Sequence, residues 1–327
     1  PMKAILYQQY GPPDVLQMAD IAKPIPKPNE ILIKTYATTV TSGDWRVRSL
    51  TVPAGFGWIT RLVFGVSRPR QPILGSELAG VVESVGAAVS RFKVGDAVFA
   101  FSDARMGCYA EYKCMPQDGA VACKPPGLSY GEAAALSFGG TTALDFLRRA
   151  KLQRGESVLI NGASGAVGAA AVQLARHFGA HVTAVCGTAN MAWVRALGAS
   201  QVIDYTQEDF TQNGQTYHVI MDTVGTAPFS RCQASLRDGG RLLLVLAGLA
   251  DMLHAPWASL TSGKKVIAGP VSVRAEDLPL LAELAATGAF KAVIDRRYRF
   301  EQMVEAHRYV DSGRKKGNVV VMLGDED

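Results

Sequence analysis

The chain has 327 residues, of which 48% are hydrophobic and 19% charged, and its formal net charge is +5 at pH 7. This composition is typical of a globular protein with two domains and excludes a disordered chain. The longest apolar run, Leu242 to Ala250, is too short to cross a bilayer and the N-terminal residues lack the apolar core of a signal peptide, so we expect a cytoplasmic protein with no membrane partner.

The residues up to about Lys124 predict a mostly β domain. Turn signals at Gly11-Pro12-Pro13 and Gly95-Asp96 separate short runs in which apolar and polar residues alternate. The predicted strands are KAILYQQ, EILIKTYATTV, GSELAGVVESVG, DAVFAF and YAEYKCM.

A long insertion, residues 49–70, interrupts this β pattern. It carries the large apolar residues Phe56, Trp58 and Phe64. Three roles are open for these side chains: they could line a substrate pocket, cover it as a lid, or only pack inside a long loop. The sequence does not decide among the three.

Helices and strands alternate in the rest of the chain. An alanine-rich helix is predicted from Tyr130 to Lys151, and the strands after it are VLIN, HVTAVC, QVIDY, HVIMDTVG, GRLLLVLAG and KKVIAGPVSV. Such alternation is typical of a parallel sheet covered on both faces by helices. Two helices, at about Asp277 to Thr287 and Phe300 to Ser312, and a last strand, Asn318 to Leu323, follow.

The most informative stretch is VLINGASGAVG, from Val158 to Gly168. A short apolar strand runs into glycines spaced three apart, Gly162, Gly165 and Gly168, and a helix begins there. Glycine permits a tight turn and close approach of a ligand to the main chain, and the free N–H groups of a helix start attract an anion. Because a helix and the strand HVTAVC follow, the stretch predicts a site for the pyrophosphate of a dinucleotide.

Several motifs along nearly the whole chain resemble the medium-chain dehydrogenase/reductase superfamily, and within it the zinc-free quinone oxidoreductase branch. The resemblance implies an α/β protein with a GroES-like, mostly β catalytic domain at residues 1–124 and 273–327 and a Rossmann NAD(P)-binding domain, a doubly wound parallel sheet, at residues 125–272. It also implies a homodimer, and the last predicted strand of the Rossmann sheet, KKVIAGPVSV, has a free edge that needs a partner. The motifs are YGPPDVL, VTSGDWRVRS, LGSELAGVVESVG, FKVGDAVFAF, GCYAEY, AAALSFGGTTALDFL, the glycine turn, LGASQVIDY and DTVG.

The residues do not support a zinc ion. Zinc-dependent relatives carry a cysteine on the loop that is Val40 to Asp44 in this chain and a His-Glu pair after the glycine that is Gly75 here, whereas this chain has Thr41 and Ser76-Glu77. The five cysteines form no CxxC pair, so a cysteine-rich zinc lobe or a disulfide framework is not expected. We therefore expect no metal site.

Three residues are candidates for catalysis. The branch usually has an asparagine at the position of Thr41, whose hydroxyl could replace part of that amide's role. Asp44 follows three residues later and is either a site residue or a helix cap. Tyr109 is the third candidate donor to a developing oxyanion.

The segment after the strand HVTAVC bears on the choice of cofactor. NAD-binding folds usually have an acidic residue there, which binds the ribose hydroxyls and repels a 2′-phosphate. This chain has Gly187, Thr188, Ala189 and Asn190 instead, where Gly187 makes room and Thr188 and Asn190 can donate hydrogen bonds. Tyr205 matches a family position that contacts the 2′-phosphate. Relatives often carry an arginine or a lysine near the position of Ala189, and this chain has no cation there. We favour NADPH over NADH.

The resemblance also assigns contacts to the remainder of the cofactor. Thr142 maps near the nicotinamide, and the residues from Ser164 to Val167 map to the pyrophosphate. Other contacts follow the later strands, at positions where a plain turn or packing role is the alternative. The full predicted set is Thr142, Ser164, Gly165, Ala166, Val167, Gly187, Thr188, Asn190, Tyr205, Val224, Ala247, Gly248 and Asn318.

Without a metal to polarise a carbonyl, the expected reaction is hydride transfer from NADPH to a small-molecule acceptor that stabilises the developing charge itself, a quinone or an enone. An alcohol dehydrogenase or carbonyl reductase is the first alternative. The second is an NADPH-binding protein without enzymatic function, crystallin-like or RNA-binding. Lysines and arginines are spread along the chain and cluster only at Arg314 to Lys316, so we do not expect nucleic acid as a partner.

Overall fold

The computed structural model describes residues 1–324 and divides into two compact units. The first comprises residues 1–52, 57–138 and the chain from Val273 onward; the second comprises residues 53–56 and 139–272. Residues 125–138 therefore pack with the first unit, whereas the family resemblance implied a domain boundary after residue 124. Within the described residues, no helix combines the length and the apolar character needed to cross a bilayer.

Ten α-helices and fifteen strands are described within residues 1–324. The strands are β1 Met2–Tyr7, β2 Leu16–Ile21, β3 Glu30–Val40, β4 Glu77–Val85, β5 Ala97–Phe101, β6 Tyr112–Pro116, β7 Val121–Cys123, β8 Ser157–Asn161, β9 His181–Cys186, β10 Gln201–Asp204, β11 Tyr217–Asp222, β12 Leu236–Leu244, β13 Lys265–Ile267, β14 Ile294–Arg299 and β15 Asn318–Met322. The helices are α1 Ser42–Ser49, α2 Gly57–Phe64, α3 Tyr130–Ala134, α4 Ser137–Arg149, α5 Ala166–His177, α6 Met191–Ala196, α7 Phe229–Cys232, α8 Leu249–Ser262, α9 Asp277–Thr287 and α10 Met303–Asp311.

The first unit is built on a seven-stranded sheet. Its strands follow the order β14-β15-β3-β4-β5-β7, β6 pairs with β3, and β1 and β2 form a separate antiparallel hairpin. The long strand β3 is central and pairs antiparallel with β4, β6 and β15. One core cluster lies between this sheet and helix α10, where Val40, Leu74, Met303 and Val319 are buried.

The second unit contains six parallel strands in the order β10-β9-β8-β11-β12-β13. This is the strand order of a Rossmann fold, with the reversal between β8 and β11. The strands are apolar nearly throughout, as expected where helices cover both faces. Small residues allow α5 to pack closely, since Ala169, Ala170 and Ala171 are all buried. The predicted mixed α/β fold, a GroES-like domain with a parallel-sheet Rossmann-like domain, is confirmed.

Most predicted elements are present, and the differences have local causes. The predicted helix Tyr130 to Lys151 is two helices, α3 and α4, separated at Ala135 and Leu136. The insertion at residues 49–70 contains the helix α2 instead of being an extended loop. The edge strand β14, with the sequence IDRRYR, was not predicted, because its four charged residues hide the alternation that identifies a strand.

Candidate functional site

The glycine turn lies between β8 and α5, at the point where the strand order reverses. Gly162 has φ of +83°, and a Cβ added at Gly168 would lie 2.0 Å from the carbonyl oxygen of Gly162. These two glycines are required by the backbone itself. A Cβ at Gly165 would meet only the Gly162 oxygen at 3.8 Å, so the side of the turn at the start of α5 is open. The first N–H groups of α5 have no partner within the helix and point to where an anion would bind.

The other predicted cofactor residues of the second unit lie at the carboxyl ends of its parallel strands. Because parallel strands share one carboxyl edge, the fold gathers these positions along that edge, where ligands of open α/β sheets bind. Thr142 differs, since it is a buried residue of α4. The residues at strand ends are Ser164, Gly165, Ala166 and Val167 after β8, Gly187, Thr188 and Asn190 after β9, Tyr205 after β10, Val224 after β11, and Ala247 and Gly248 after β12.

The last residues of β8 and β11 form a buried polar pair that the sequence reasoning missed. The Asn161 amide donates to an Asp222 carboxylate oxygen at 3.0 Å, and this carboxylate also accepts backbone N–H groups of Val224, Gly225 and Ala227. The pair therefore fixes the loop that carries Val224. The available signal was a polar residue ending each of two otherwise apolar strands, VLIN and HVIMD.

The segment after β9 presents fewer hydrogen-bond donors than the sequence suggests. The Thr188 hydroxyl donates to the Asp204 carboxylate, so it is not available to a phosphate in this arrangement. Asn190 accepts from the Trp193 indole at 2.9 Å and keeps its amide N–H groups as donors. Tyr205 is 66% exposed, and its ring lies 3.6 Å from the position of a Cβ on Gly187. Gly187, Asn190 and Tyr205 thus remain the candidates for the 2′-phosphate.

Asn318, the last predicted cofactor residue, lies in the first unit at the start of β15. Its side-chain amide donates to the carbonyl oxygen of Val293 at 3.0 Å, and its backbone N–H donates to the same oxygen. The structure therefore gives Asn318 a role in joining β15 to the preceding loop, while a contact with the cofactor stays a prediction.

Thr41 and Asp44 form the N-terminal cap of helix α1. The Thr41 hydroxyl accepts the Asp44 N–H at 3.2 Å, and the Asp44 carboxylate accepts the Thr41 N–H at 2.9 Å and its hydroxyl at 3.0 Å. This reciprocal arrangement is a capping box. Asp44 also accepts the Gly75 N–H at 3.1 Å. Asp44 is therefore a helix-capping residue, which is one of the two roles considered for it. A direct part in catalysis stays a prediction for both Thr41 and Asp44.

Tyr109 lies beside Asp44 and continues a buried chain of polar side chains. Arg48 donates to His307 Nδ1 at 2.6 Å, and His307 Nε2 donates to the Tyr109 hydroxyl at 3.0 Å. Burial raises the pKa of Tyr109, and the nearby Asp44 carboxylate raises it further. Burial, with the charge of Arg48, holds the pKa of His307 well below its usual range, so this imidazole is neutral. All four side chains are fully buried, so the Tyr109 hydroxyl is held between protein groups in this structure.

Glu77 is a second buried carboxyl close to the predicted catalytic residues. Its two oxygens accept the Thr39 hydroxyl and the Phe138 N–H, both at 2.7 Å. Burial raises its pKa to about 7, only partly opposed by these hydrogen bonds, and it raises the pKa of Asp44 to about 6. Both carboxyls therefore titrate near neutral pH.

The first unit offers no donor set for zinc at the position where zinc-dependent enzymes bind it. Thr41 and Ser76 bring hydroxyls where zinc prefers thiolate and imidazole, and Glu77 is held by Thr39 and Phe138. Across residues 1–324, no group of three or more His, Cys, Asp or Glu side chains could hold a metal ion. The residues present do not fit the metal.

The raised pKa of Glu77 makes a testable prediction about stability. The folded chain binds this proton more tightly than the unfolded chain, so ionisation of Glu77 costs stability as the pH rises from 4.5 to about 7. Relative to the unmodified protein, Glu77→Gln should gain up to about 3 kcal/mol in free energy of unfolding across this range. Urea unfolding at several pH values measures the difference.

Thr39→Val serves as the matched variant, because it removes a hydrogen bond that favours the ionised form of Glu77. It should extend the pH-sensitive range upward. A difference between Glu77→Gln and the unmodified protein that is constant from pH 4.5 to 8 would contradict the raised pKa.

Two family models match the chain. The alcohol dehydrogenase GroES-like domain matches residues 27–133, and the zinc-binding dehydrogenase domain matches residues 197–321. The second description names a metal for which the residues described above supply no ligands.

Relatives and solved structures match over nearly the full length. The quinone-oxidoreductase homolog of Spinacia oleracea is 32% identical over 98% of both chains, and the 2-methylene-furan-3-one reductase of Solanum lycopersicum is 32% identical over 98% of this chain and 79% of its own. Among structures, the quinone oxidoreductase of Coxiella burnetii has a TM-score of 0.87 at 29% identity and 99% coverage of both chains. That of Escherichia coli in complex with NADPH has a TM-score of 0.81 at 25% identity, covering 98% of this chain and 100% of its own.

These matches agree with the motifs and with the fold of each unit. The spinach relative spans the same length as this chain and exceeds 30% identity. The chain belongs to the medium-chain dehydrogenase/reductase superfamily, in its quinone oxidoreductase-like branch.

Proposed function

We propose that the protein is an oxidoreductase that uses NADPH to reduce a quinone or an α,β-unsaturated carbonyl compound without zinc. The observation that carries the proposal is the combination of a dinucleotide-type glycine turn in the second unit with a first unit whose described residues contain no group of side chains that could hold a metal ion. The names of the relatives support it, since they include quinone oxidoreductases and a reductase of an enone. The NADPH complex of the Escherichia coli enzyme supports the cofactor.

The residues of this chain have distinct tasks in the proposed reaction. NADPH supplies the hydride when bound. The N–H groups at the start of α5 bind the pyrophosphate, and the Asn161–Asp222 pair holds the adjoining loop. The acceptor must stabilise its own developing charge, as quinones and enones do, because Thr41 and Ser76 stand where zinc-dependent relatives have metal ligands. Thr41 and Asp44, which bond each other at the start of α1, are the candidate proton-handling groups, and Tyr109 is the third candidate donor.

The activity is tested by following NADPH oxidation with quinones, enones and saturated aldehydes, first with a chelator and then with added zinc. We expect turnover with quinones or enones that the chelator does not change, because no side chain in the site depends on zinc. Aldehyde reduction that the chelator abolishes would instead show the alternative, a zinc-dependent alcohol dehydrogenase. Tight NADPH binding without turnover of any acceptor would contradict both enzyme hypotheses.

The preference for NADPH is tested at Gly187. A carboxylate there would lie against Tyr205, because the added Cβ is 3.6 Å from that ring, in ordinary contact. It would repel a 2′-phosphate and accept hydrogen bonds from free ribose hydroxyls. We expect Gly187→Asp to lower the ratio of kcat/KM for NADPH to that for NADH by about tenfold or more.

Gly187→Asn is the control, because it adds nearly the same volume without charge. It should leave the ratio close to that of the unmodified protein. An equal fall in both variants would mean that space, not charge, governs the cofactor at this position.

We propose a homodimer formed through the second unit. Strand β13 is an edge of the six-stranded sheet, and it pairs only with β12 within the described chain. Helix α8 packs against it and presents Leu253, Trp257 and Leu260 along one face, each more than two-thirds exposed. An unpaired edge beside an apolar stripe favours association with a second copy.

Light scattering at micromolar concentration should give the mass of a dimer, and Leu253→Ser combined with Leu260→Ser should shift it towards a monomer. The control is Ile25→Ser, an isolated side chain in the first unit that is 88% exposed. A monomeric mass for the unmodified chain would contradict the proposal.

The alternative of an RNA-binding protein has less support in the structure than in the sequence. Of the cluster Arg314 to Lys316, Lys315 turns inward and donates to the Gly317 carbonyl at 2.9 Å, and burial lowers its pKa to about 8. Two exposed cations at one turn do not make a basic surface. The cytoplasmic location expected from the sequence belongs to the proposal as well.

A further inference from the structure

Helix α2 in the first unit has an unusual pattern of exposure. The large apolar residues Trp58, Leu62 and Val63, and Val66 just after the helix, are each more than half exposed. The polar residue Thr60 is buried instead. Trp58, Leu62 and Val66 are spaced four apart, so they form one stripe along the helix and its end. The helix therefore directs an apolar face outward, which marks an interaction surface.

The same segment carries only positive charge. No acidic residue occurs between Asp44 and Glu77, whereas Arg61, Arg68 and Arg70 lie within or just after α2 and are exposed. None of these three arginines forms an ion pair in the part of the chain that the structure describes. Arg61 donates instead to the Val66 carbonyl at 2.8 Å and lies over the Tyr10 ring.

The segment is anchored on its inner side. Phe64 packs against the buried core cluster of the first unit, and the Tyr10 hydroxyl donates to the Gly65 carbonyl at 2.7 Å. Arg70 and Gly65 also bond the backbone of this helix, to Phe64 and Arg61 respectively. The exposed stripe therefore belongs to a helix that is folded in place.

We propose that the apolar stripe of α2, with Arg61, Arg68 and Arg70, is a docking surface for an anionic lipid membrane. Apolar side chains with a tryptophan insert among lipid headgroups, and arginines beside them attract anionic phosphates. A helix of eight residues is about 12 Å long, so it lies in the interface and does not span the bilayer. This departs from our sequence-based expectation of no membrane partner.

Docking would give the enzyme access to acceptors dissolved in the bilayer, such as lipophilic quinones. That consequence rests on the proposed function, whereas docking itself does not. Vesicle binding is therefore measured without cofactor or acceptor, so that a lack of turnover leaves the docking result unaffected.

The experiment is co-sedimentation of the full chain with vesicles of equal parts phosphatidylglycerol and phosphatidylcholine, and with phosphatidylcholine alone. We expect binding to the anionic vesicles that weakens with added salt. Trp58→Ser combined with Leu62→Ser should lower the partition coefficient at least about tenfold, because both apolar anchors are lost. Ile25→Ser, which removes a still more exposed apolar side chain outside α2, should not lower it.

The charge is tested separately with Arg68→Gln and Arg70→Gln. Each should weaken binding to anionic vesicles by roughly fivefold, whereas Arg314→Gln, at an exposed turn after α10 and outside the proposed surface, should not. All substituted side chains are exposed, and circular dichroism with thermal unfolding confirms that the variants fold.

Three results would overturn the proposal: no binding to anionic vesicles, equal binding to neutral vesicles, or unchanged binding by the Trp58 and Leu62 variant. A fourth readout separates docking from a role in the substrate site, which the sequence left open for Trp58. Turnover of a water-soluble quinone should be the same in this variant and in the unmodified enzyme. A loss of that turnover with unchanged vesicle binding would assign α2 to the substrate site instead.

Discussion

The organisation of the first unit depends on one buried carboxylate, that of Asp44. A charge without water must be satisfied by hydrogen bonds, and Asp44 receives them from the Thr41 N–H and hydroxyl and from the Gly75 N–H. These bonds fix the start of α1 and the loop before β4. The N–H groups of Thr41 and Gly75 would lose their partner if Asp44 were lost, so this carboxylate holds the two segments together.

The chain of polar contacts extends from Asp44 to the far end of the sequence. His307 is neutral and links the Tyr109 hydroxyl to Arg48, whose guanidinium also donates to the Gly11 carbonyl and pairs with Asp311 at 2.5 Å. Arginine suits this position because its planar group donates in several directions at once. The network joins α1 to α10, and it explains why an arginine with no exposed surface stands in α1.

In the second unit, a different constraint creates the sheet edge at which we propose that the cofactor binds. Parallel strands end at one edge, and where the order reverses between β8 and β11 the helices diverge and leave the turn open. Asn161 and Asp222 occupy the ends of these two strands and bond each other. The Asp222 carboxylate accepts the backbone N–H groups of the loop after β11. The N-terminus of α5, on the other side of the turn, stays open.

How far the sequence predicts the site depends on the range of the contacts. The glycine turn was predictable because its constraints are local: Gly168 and Gly162 touch across six residues, and the helix follows at once. The arrangement of Asn161 with Asp222 joins residues 61 apart, and that of Arg48 with His307 joins residues 259 apart. No local pattern announces such pairs. For the same reason the Thr188 hydroxyl was predicted to be a free donor, although Asp204 accepts it.

The sequence by itself determined the fold class, the glycine turn and the residue types that stand where zinc-dependent relatives have cysteine and histidine, because strand periodicity, glycine spacing and residue type are local properties. Only the tertiary structure decided which groups are buried together. It made Asp44 a cap and the end of a buried network, raised the pKa of Glu77 to about 7, and turned Lys315 inward and the apolar face of α2 outward. Burial and partner choice depend on which segments meet, and residues far apart in the chain decide that together.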